Sequence, residues 1–377
     1  MIDVDVVVVG AGPAGTFLAA ELTRCGVDAV LLERRSEPAP GTRAIGLHPP
    51  TMRALEASGA TERILARAAR VTRGIATAGG RPVGAVRFDD RGARFGFVAT
   101  AAQATTEAAL AIGAPRADRG CEVTRIAAEG DEAVALYRRG EAQTEIRARA
   151  IVLATGSDRR LAAALDHARP RSAPDRYVMT DVSDAPSQPP DTAVITLDRA
   201  GVVESFPLPG GGRRLVAWHA GVGDPTDELR RAVAERMGDE HLAARVETAT
   251  WFGIRHVVLD RLRHGPLFAI GDAAHEISPI GGQGMNLGLL DAASLAPALA
   301  RWLRNPADAA HLARWERDRL ASARTAARLA ALNTALGRGR TRSAHTCAVG
   351  AVRMAAATSA VRLAARAYAM GFDRAIS

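Results

Sequence analysis

The chain has 377 residues, 47% of them hydrophobic, enough for one large or two ordinary packed domains. Its formal net charge is +8, yet every basic residue is an arginine and these run along the whole chain, so no nucleic-acid-binding tract is indicated and solubility accounts for the excess. The absence of lysine excludes Schiff-base chemistry.

In chain order, the apolar run Val4 to Val9 reads as a buried parallel strand, Pro13 to Cys25 as a helix and Ala29 to Glu33 as a second strand, together a βαβ unit. An acidic residue precedes the first strand where a secretory signal would carry positive charge, so no export signal is expected. Thr51 to Ser58 and Ala101 to Ala111 read as helices. From Val123 to Leu153 the pattern is strand-like, alternating in Glu132 to Tyr137 and ending in the buried run Ala150 to Ala154, which predicts a meander returning to the main sheet. Ser172 to Gly212, rich in proline, glycine and β-branched residues, and the strand Arg214 to Ala220 form a second, sheet-based domain. Leu267 to Ile270 is a short strand, and the chain beyond the glycine motifs after it is mostly alanine, leucine and arginine at helical spacing.

Cys25, Cys121 and Cys347 are scattered without disulfide-scaffold or zinc spacing, so no metal site is expected and a reducing, cytoplasmic setting fits best. No stretch reaches the ~18 uninterrupted apolar residues of a membrane span.

The first strand runs into Gly10-Ala11-Gly12-Pro13-Ala14-Gly15. In that pattern the first glycine permits the tight turn, the second lets the backbone approach a pyrophosphate, and the third lets helix and strand pack closely, with the helix N-terminus facing the anion. Glu33 ends the next strand where a ribose hydroxyl would lie, and Arg34 beside it can be read as a 2′-phosphate contact, so NAD and FAD both stay open here. Far downstream, Gly271-Asp272-Ala273-Ala274-His275 follows a strand and Pro279-Ile280-Gly281-Gly282-Gln283-Gly284-Met285-Asn286 opens a helix. Asp272 is placed to bond a ribityl hydroxyl. The amides of the helix start would face the flavin edge that becomes anionic on reduction, with Pro279, Gly281 and Gly282 as the loop against that edge.

In these motifs, taken in order, the chain resembles the class A flavoprotein monooxygenases, the p-hydroxybenzoate hydroxylase-like family, over most of its length. Gly41 to His48 with Thr51 and Leu55 is similar to the family segment whose arginine contacts the cofactor, a role that falls to Arg43. Gln103, Glu107 and Leu110 are similar to the family helix whose glutamine holds the ribityl chain. Where the family carries Asp-Gly, this chain has Thr155-Gly156. That keeps a flavoprotein feature near the cofactor and puts the usual nicotinamide contact in question, with Asp158 a substitute that spacing does not test.

The resemblance implies an α/β fold with a Rossmann-like, glutathione-reductase-like FAD-binding domain, a second β-sheet substrate domain and C-terminal helices. The expected division is 1–70, 96–171 and 255–345 for FAD, 71–95 and 172–254 for substrate, and 346–377 as a helical segment. It also implies the activity: NAD(P)H reduces FAD, O₂ adds at flavin C4a, and an oxygen passes to an aromatic or polyketide-like small molecule. The cofactor carries the hard chemistry, so no covalent nucleophile is expected. A reductase on the same scaffold, as in geranylgeranyl reductases, and a non-catalytic flavin-binding partner are the competing readings; a halogenase is disfavoured because those enzymes rely on a lysine.

Several side chains have both a functional and a structural reading. His275, a proton shuttle in one view, more often orients its loop. His48, His219 and Trp218 are candidate substrate contacts, with a satisfied structural role as the alternative, and Trp218 with Trp251 could wall a flat substrate or pack in the core. The arginine- and alanine-rich region Ala321 to Ala375 has the composition of a membrane- or partner-binding helix, but such helices usually cover the main domain.

Overall fold

The computed structural model describes residues 3–38, 44–88, 93–165, 171–221, 223–278, 281–358 and 365–373, with the main chain alone for 171–174 and 254. Four consecutive β-branched valines, Val6 to Val9, are almost entirely buried, as a strand covered on both faces must be. Val4–Val9 pairs in parallel with Ala29–Glu33 on one side and Ala142–Leu153 on the other. Leu267–Ala269 extends the sheet in parallel beyond Ala142–Leu153, and Asp118–Arg119 beyond Ala29–Glu33. The predicted meander is present as Glu122–Glu129, Glu132–Arg139 and Ala142–Leu153, the last returning to the centre of the sheet. Its middle strand departs from alternation because Ala133, Val134 and Ala135 are all buried.

The helix Pro13–Arg24 packs beside the long helix Gln283–Arg304. A Cβ on Gly288 would lie 3.0 Å from the Gly271 Cα and 3.2 Å from the Ala14 side chain, so this glycine brings the long helix against both glycine turns.

A second sheet has the order His275–Glu276, Thr250–Val258, Arg171–Val182, Arg213–His219, Val203–Pro207, Thr192–Thr196, Arg73–Ala78, Arg81–Arg87. Side chains alternate across its faces. Val178, Val182, Val203, Leu215 and Ala217 pack with the helices Pro225–Ala232 and Glu240–Ala244. Met179, Asp181, Glu204, Phe206, Arg214 and Val216 face the opposite way, into a cavity. Arg213 is buried with no carboxylate partner among the described residues and is held by the carbonyls of Pro189, Thr192 and Ser205 and the Ser205 hydroxyl.

Three features depart from expectation. The strands Gly46–Leu47, Ala69–Val71 and Val98–Thr100 form a small antiparallel sheet. The helix expected over 51–58 starts earlier, at Pro49, because Pro49 and Pro50 suit its first turn, and it gives way to a 3₁₀ turn at Glu56–Ser58. The helix Arg342–Ala356 covers the edge of the second sheet rather than the main domain, with Val352 and Ala356 closing on Gly84 of the strand Arg81–Arg87. Among the described residues no helix is long and apolar enough to cross a membrane.

Candidate active site

A single continuous cavity of about 1090 Å³ runs from the first glycine turn to the second sheet. It exceeds the roughly 300–1,000 Å³ of an ordinary single-ligand pocket. Its first end is built on the crossover from Val4–Val9 to Pro13–Arg24. Gly10 has φ +108° and leaves no room for a Cβ, which would overlap the Ala154 carbonyl. A Cβ on Gly15 would fall on the Gly10 carbonyl, whereas one on Gly12 would meet nothing within 4 Å. Gly10 and Gly15 therefore hold strand and helix together, and Gly12 opens the backbone onto the cavity with Pro13 and Ala14.

Glu33 lines the same end, its carboxylate accepting from the amides of Ala11 at 2.8 Å and Arg35 at 2.9 Å. Arg34 pairs with Asp158 at 2.8 Å, so its charge is already answered. Arg160 binds the same carboxylate, and these contacts, Arg160 first, hold Asp158 below the usual carboxylate range. Thr155 and Gly156 line the wall, and the Thr155 hydroxyl donates to the Asp158 carbonyl at 2.6 Å. Asp158 is thus built into the loop that the altered motif forms. Further along, Gln103 lines the cavity, bonded to Glu107 at 2.7 Å and to the Ala44 amide at 3.3 Å.

The middle of the cavity is formed by Gly271, Asp272, Gly281, Gly282, Gly284 and Met285. Gly282, at φ +65°, turns the chain into the N-terminus of Gln283–Arg304, where Gly284 and Met285 line the cavity. Asn286 is not in the wall but fixes it: its amide donates to the Gly46 and Gly282 carbonyls, both at 2.8 Å, and its oxygen accepts from the His48 amide at 2.8 Å. His48 lines the cavity and is buried. Its Nε2 lies 3.1 Å from the Gly281 carbonyl, which can only accept, so Nε2 carries the proton, and burial holds the imidazole down to about 4 and neutral. Arg43 and Pro279 lie outside the described residues.

His275 takes no part in the wall. Its Nε2 contacts Asp291 at 2.6 Å; Asp291 also accepts from the Gly271 amide and from Arg319, which in turn holds Asp373. This buried network anchors the downstream glycine turn, the structural role weighed for this histidine. The structure also brings neither Trp218 nor His219 to the cavity. The Trp218 indole packs on Gly201 and Gly339 and donates to Asp175 at 2.9 Å. His219 is 2.7 Å from Glu228 and accepts the Gly221 amide.

The wall on the second sheet was not anticipated. It combines Phe206, Phe252, Met179 and Val216 with Glu204 and the bidentate pair Arg214–Asp181 at 2.6 and 2.7 Å. Trp251, paired with Val178, turns its indole to the other face of the sheet, where it meets His219 and Arg176 and donates to the Gly223 carbonyl at 3.1 Å. Tyr368, from the C-terminal segment, closes it, stacked on Phe88 and edge-on to His48. The strand alternation Val203-Glu204-Ser205-Phe206 was the available signal for Glu204 and Phe206.

The arrangement suits FAD: a glycine cradle open only at Gly12, an acid at the end of the second strand, a carboxylate at Asp272 and a helix N-terminus at Gly282 follow one another along one cavity. Fold and site together define a dinucleotide-binding flavoprotein whose cavity continues to a wall on the second sheet. Residues 3–330 match the family described as FAD binding domain, and the chain belongs to that family, with FAD as its cofactor. It is 31% identical over 356 residues to 6-methylpretetramide 4-monooxygenase of Streptomyces rimosus, covering 88% of this chain and 63% of that protein. It is 32% identical over 311 residues to a rifampicin monooxygenase of Streptomyces venezuelae, covering 78% and 64%. The chain thus spans less than two thirds of the length of these curated relatives. Among solved structures, p-nitrophenol 4-monooxygenase PnpA from Pseudomonas putida DLL-E4 superposes with TM-score 0.87 at 22% identity, covering 100% of this chain and 99% of that one. CabE, an aromatic hydroxylase from angucycline biosynthesis, superposes with TM-score 0.79 at 26% identity, covering 99% and 77%. The resemblance to class A flavoprotein monooxygenases is borne out in family and fold.

Proposed function

We propose that the chain is an FAD-dependent monooxygenase that hydroxylates or epoxidises an aromatic or polyketide-like small molecule with NAD(P)H and O₂. The observation that carries this reading is the continuity of the cavity, which joins the glycine cradle and the Gly281–Met285 loop to an aromatic-lined wall of the second sheet. Residues 1–70, 96–171 and 255–345 hold the cofactor in this reading, and 71–95 and 172–254 the substrate.

Bound FAD supplies the redox chemistry, taking electrons from NAD(P)H and activating O₂. Gly12, Pro13 and Ala14 bind its pyrophosphate, Glu33 a ribose, Gln103 and Asp272 the ribityl chain. The helix N-terminus after Gly282 offers amides and a positive dipole to the ring edge where negative charge collects. Neutral His48 holds the Gly281 carbonyl and Asn286 holds that of Gly282, keeping both glycines in place. Phe206, Phe252 and Tyr368 exclude water and stack on a planar substrate.

The test is turnover of the holoenzyme on phenolic and polyketide aromatics with NADH or NADPH under isotopically labelled O₂, read by mass spectrometry. One labelled oxygen in the product is expected. A reduced, unlabelled product would replace this reading with the reductase one.

A further inference from the structure

Glu204 is a carboxyl in a place where carboxyls are rarely found. It sits in the middle of the strand Val203–Pro207, is 6% exposed, and lines the cavity on the same sheet face as Phe206, Arg214 and Val216. Its side chain makes no hydrogen bond or ion pair with any described residue. On that face Arg214, paired across the strands with Phe206, is engaged in a bidentate pair with Asp181. The other titratable groups around it are Tyr368 and Tyr177, whose hydroxyls burial and then the Glu204 charge push up, and neutral His48 across the cavity. None of these supplies a positive charge.

A buried polar group without a partner costs free energy unless something that binds there completes it. Phe206, Val216 and Phe252 share the cavity wall with Glu204, so the missing partner arrives with a flat ligand, and for the ionised carboxylate it must be a donor. We propose that Glu204 is the substrate-anchoring residue, accepting the hydrogen of a ring hydroxyl, so that the site selects hydroxylated aromatic substrates. Where the proton transfers fully, the hydroxyl O–H bond breaks, a Glu204 O–H forms and the ring keeps the electron pair as an aryloxide, with no change of oxidation state. An ordinary carboxyl lies roughly six pKa units below a phenol, too far for the proton to be shared. Burial pushes Glu204 up to about 8, which narrows that gap to roughly two.

The inference rests on an aromatic substrate, as in the proposed function, but its test involves no turnover. Holoenzyme without NAD(P)H is titrated with β-naphthol and with its methyl ether, following the flavin visible absorbance. At about pH 9, where Glu204 is ionised, wild type is expected to bind the naphthol roughly ten-fold or more tightly than the ether, the worth of one hydrogen bond to a charged acceptor. Glu204→Leu should bring the ratio to about one by weakening the naphthol alone. If that variant does not retain FAD, Glu204→Gln, nearly isosteric, should lower the ratio to roughly three or less. A wild-type ratio near one, no binding of either probe, or a ratio unchanged in the variant overturns the proposal. A hydroxyl preference that depends on Glu204, together with no oxygen incorporation in turnover, would overturn the oxygenase reading and leave this site standing.

Discussion

Gly12 and Gly15 are three positions apart in one motif, yet the structure assigns them different work. Gly15→Ala drives a Cβ into the Gly10 carbonyl and should cost both stability and FAD. Gly12→Ala meets open space on the protein side and should leave the melting temperature of the apoprotein within about 2 °C of wild type while weakening FAD binding. Thermal melts of apoprotein, with flavin fluorescence for binding, separate the two, and equal destabilisation by both would refute this division. Glu204 gives a second prediction at this scale. Its carboxyl titrates at about 8 in the fold and at its ordinary 4.5 when unfolded, so the unfolded chain releases the proton first. Stability must then fall as pH rises from 4.5 through about 8 and level off above. Glu204→Gln removes this term, and its advantage over wild type should grow from nothing at about pH 4 to at most about 5 kcal/mol above about pH 8. Urea unfolding across that range measures it; an advantage independent of pH would contradict the burial argument. Glu33, Asp272 and Gly282 were legible in the sequence because short motifs around glycine carry them. Glu204 and Tyr368 were not, since each reaches the cavity only through sheet pairing or tail packing far along the chain.

The helix Gln283–Arg304 shows how an element carries the site without contributing most of the wall. Its Asp291 receives the Gly271 amide, His275 and Arg319, and Arg319 passes the contact on to Asp373, all of them buried. Burial alone would raise the Asp291 carboxyl, but His275 and Arg319 outweigh it and hold the group below the usual carboxylate range. Arg319→Met leaves two buried carboxylates without their shared partner, and should cost about 3–5 kcal/mol in chemical denaturation. A loss below about 1 kcal/mol would mean that the network relaxes without it. The long helix was readable from its spacing, but the pairing of Asp291 with Arg319 was not, because no linear pattern shows two helices facing. The helix Pro225–Ala232 went unread although its signals were present: Asp224 caps it through the amides of Thr226 and Asp227, and Pro225 occupies the first turn. Its role, covering the far face of the second sheet, depends on strands remote in sequence.

At the scale of the molecule, the cofactor end of the cavity draws on Gly12, Glu33, Gln103, Thr155, Asp272 and Gly284, which span most of the chain. In the first sheet, parallel strands deliver these residues to one edge, the position where open α/β sheets bind ligands. That much followed from the order of the motifs. The second sheet, with no motif, could be assigned as a sheet but not oriented, because which face points inward depends on a register that a single sequence does not fix. A ligand touching segments so far apart must stabilise the fold as a whole rather than one loop. FAD at a hundred times its dissociation constant should add about 2.7 kcal/mol, which for a chain of this size is a rise of roughly 3–4 °C in melting temperature. Hydrogen exchange should slow in the first glycine turn and in the Gly271–Met285 region together, although more than 250 residues separate them. Gly12→Val, which fills the space above the cradle without touching the fold, should abolish both responses. A rise in melting temperature that survives in this variant, or protection confined to one of the two segments, would mean that the cofactor does not bridge the cavity as its walls imply.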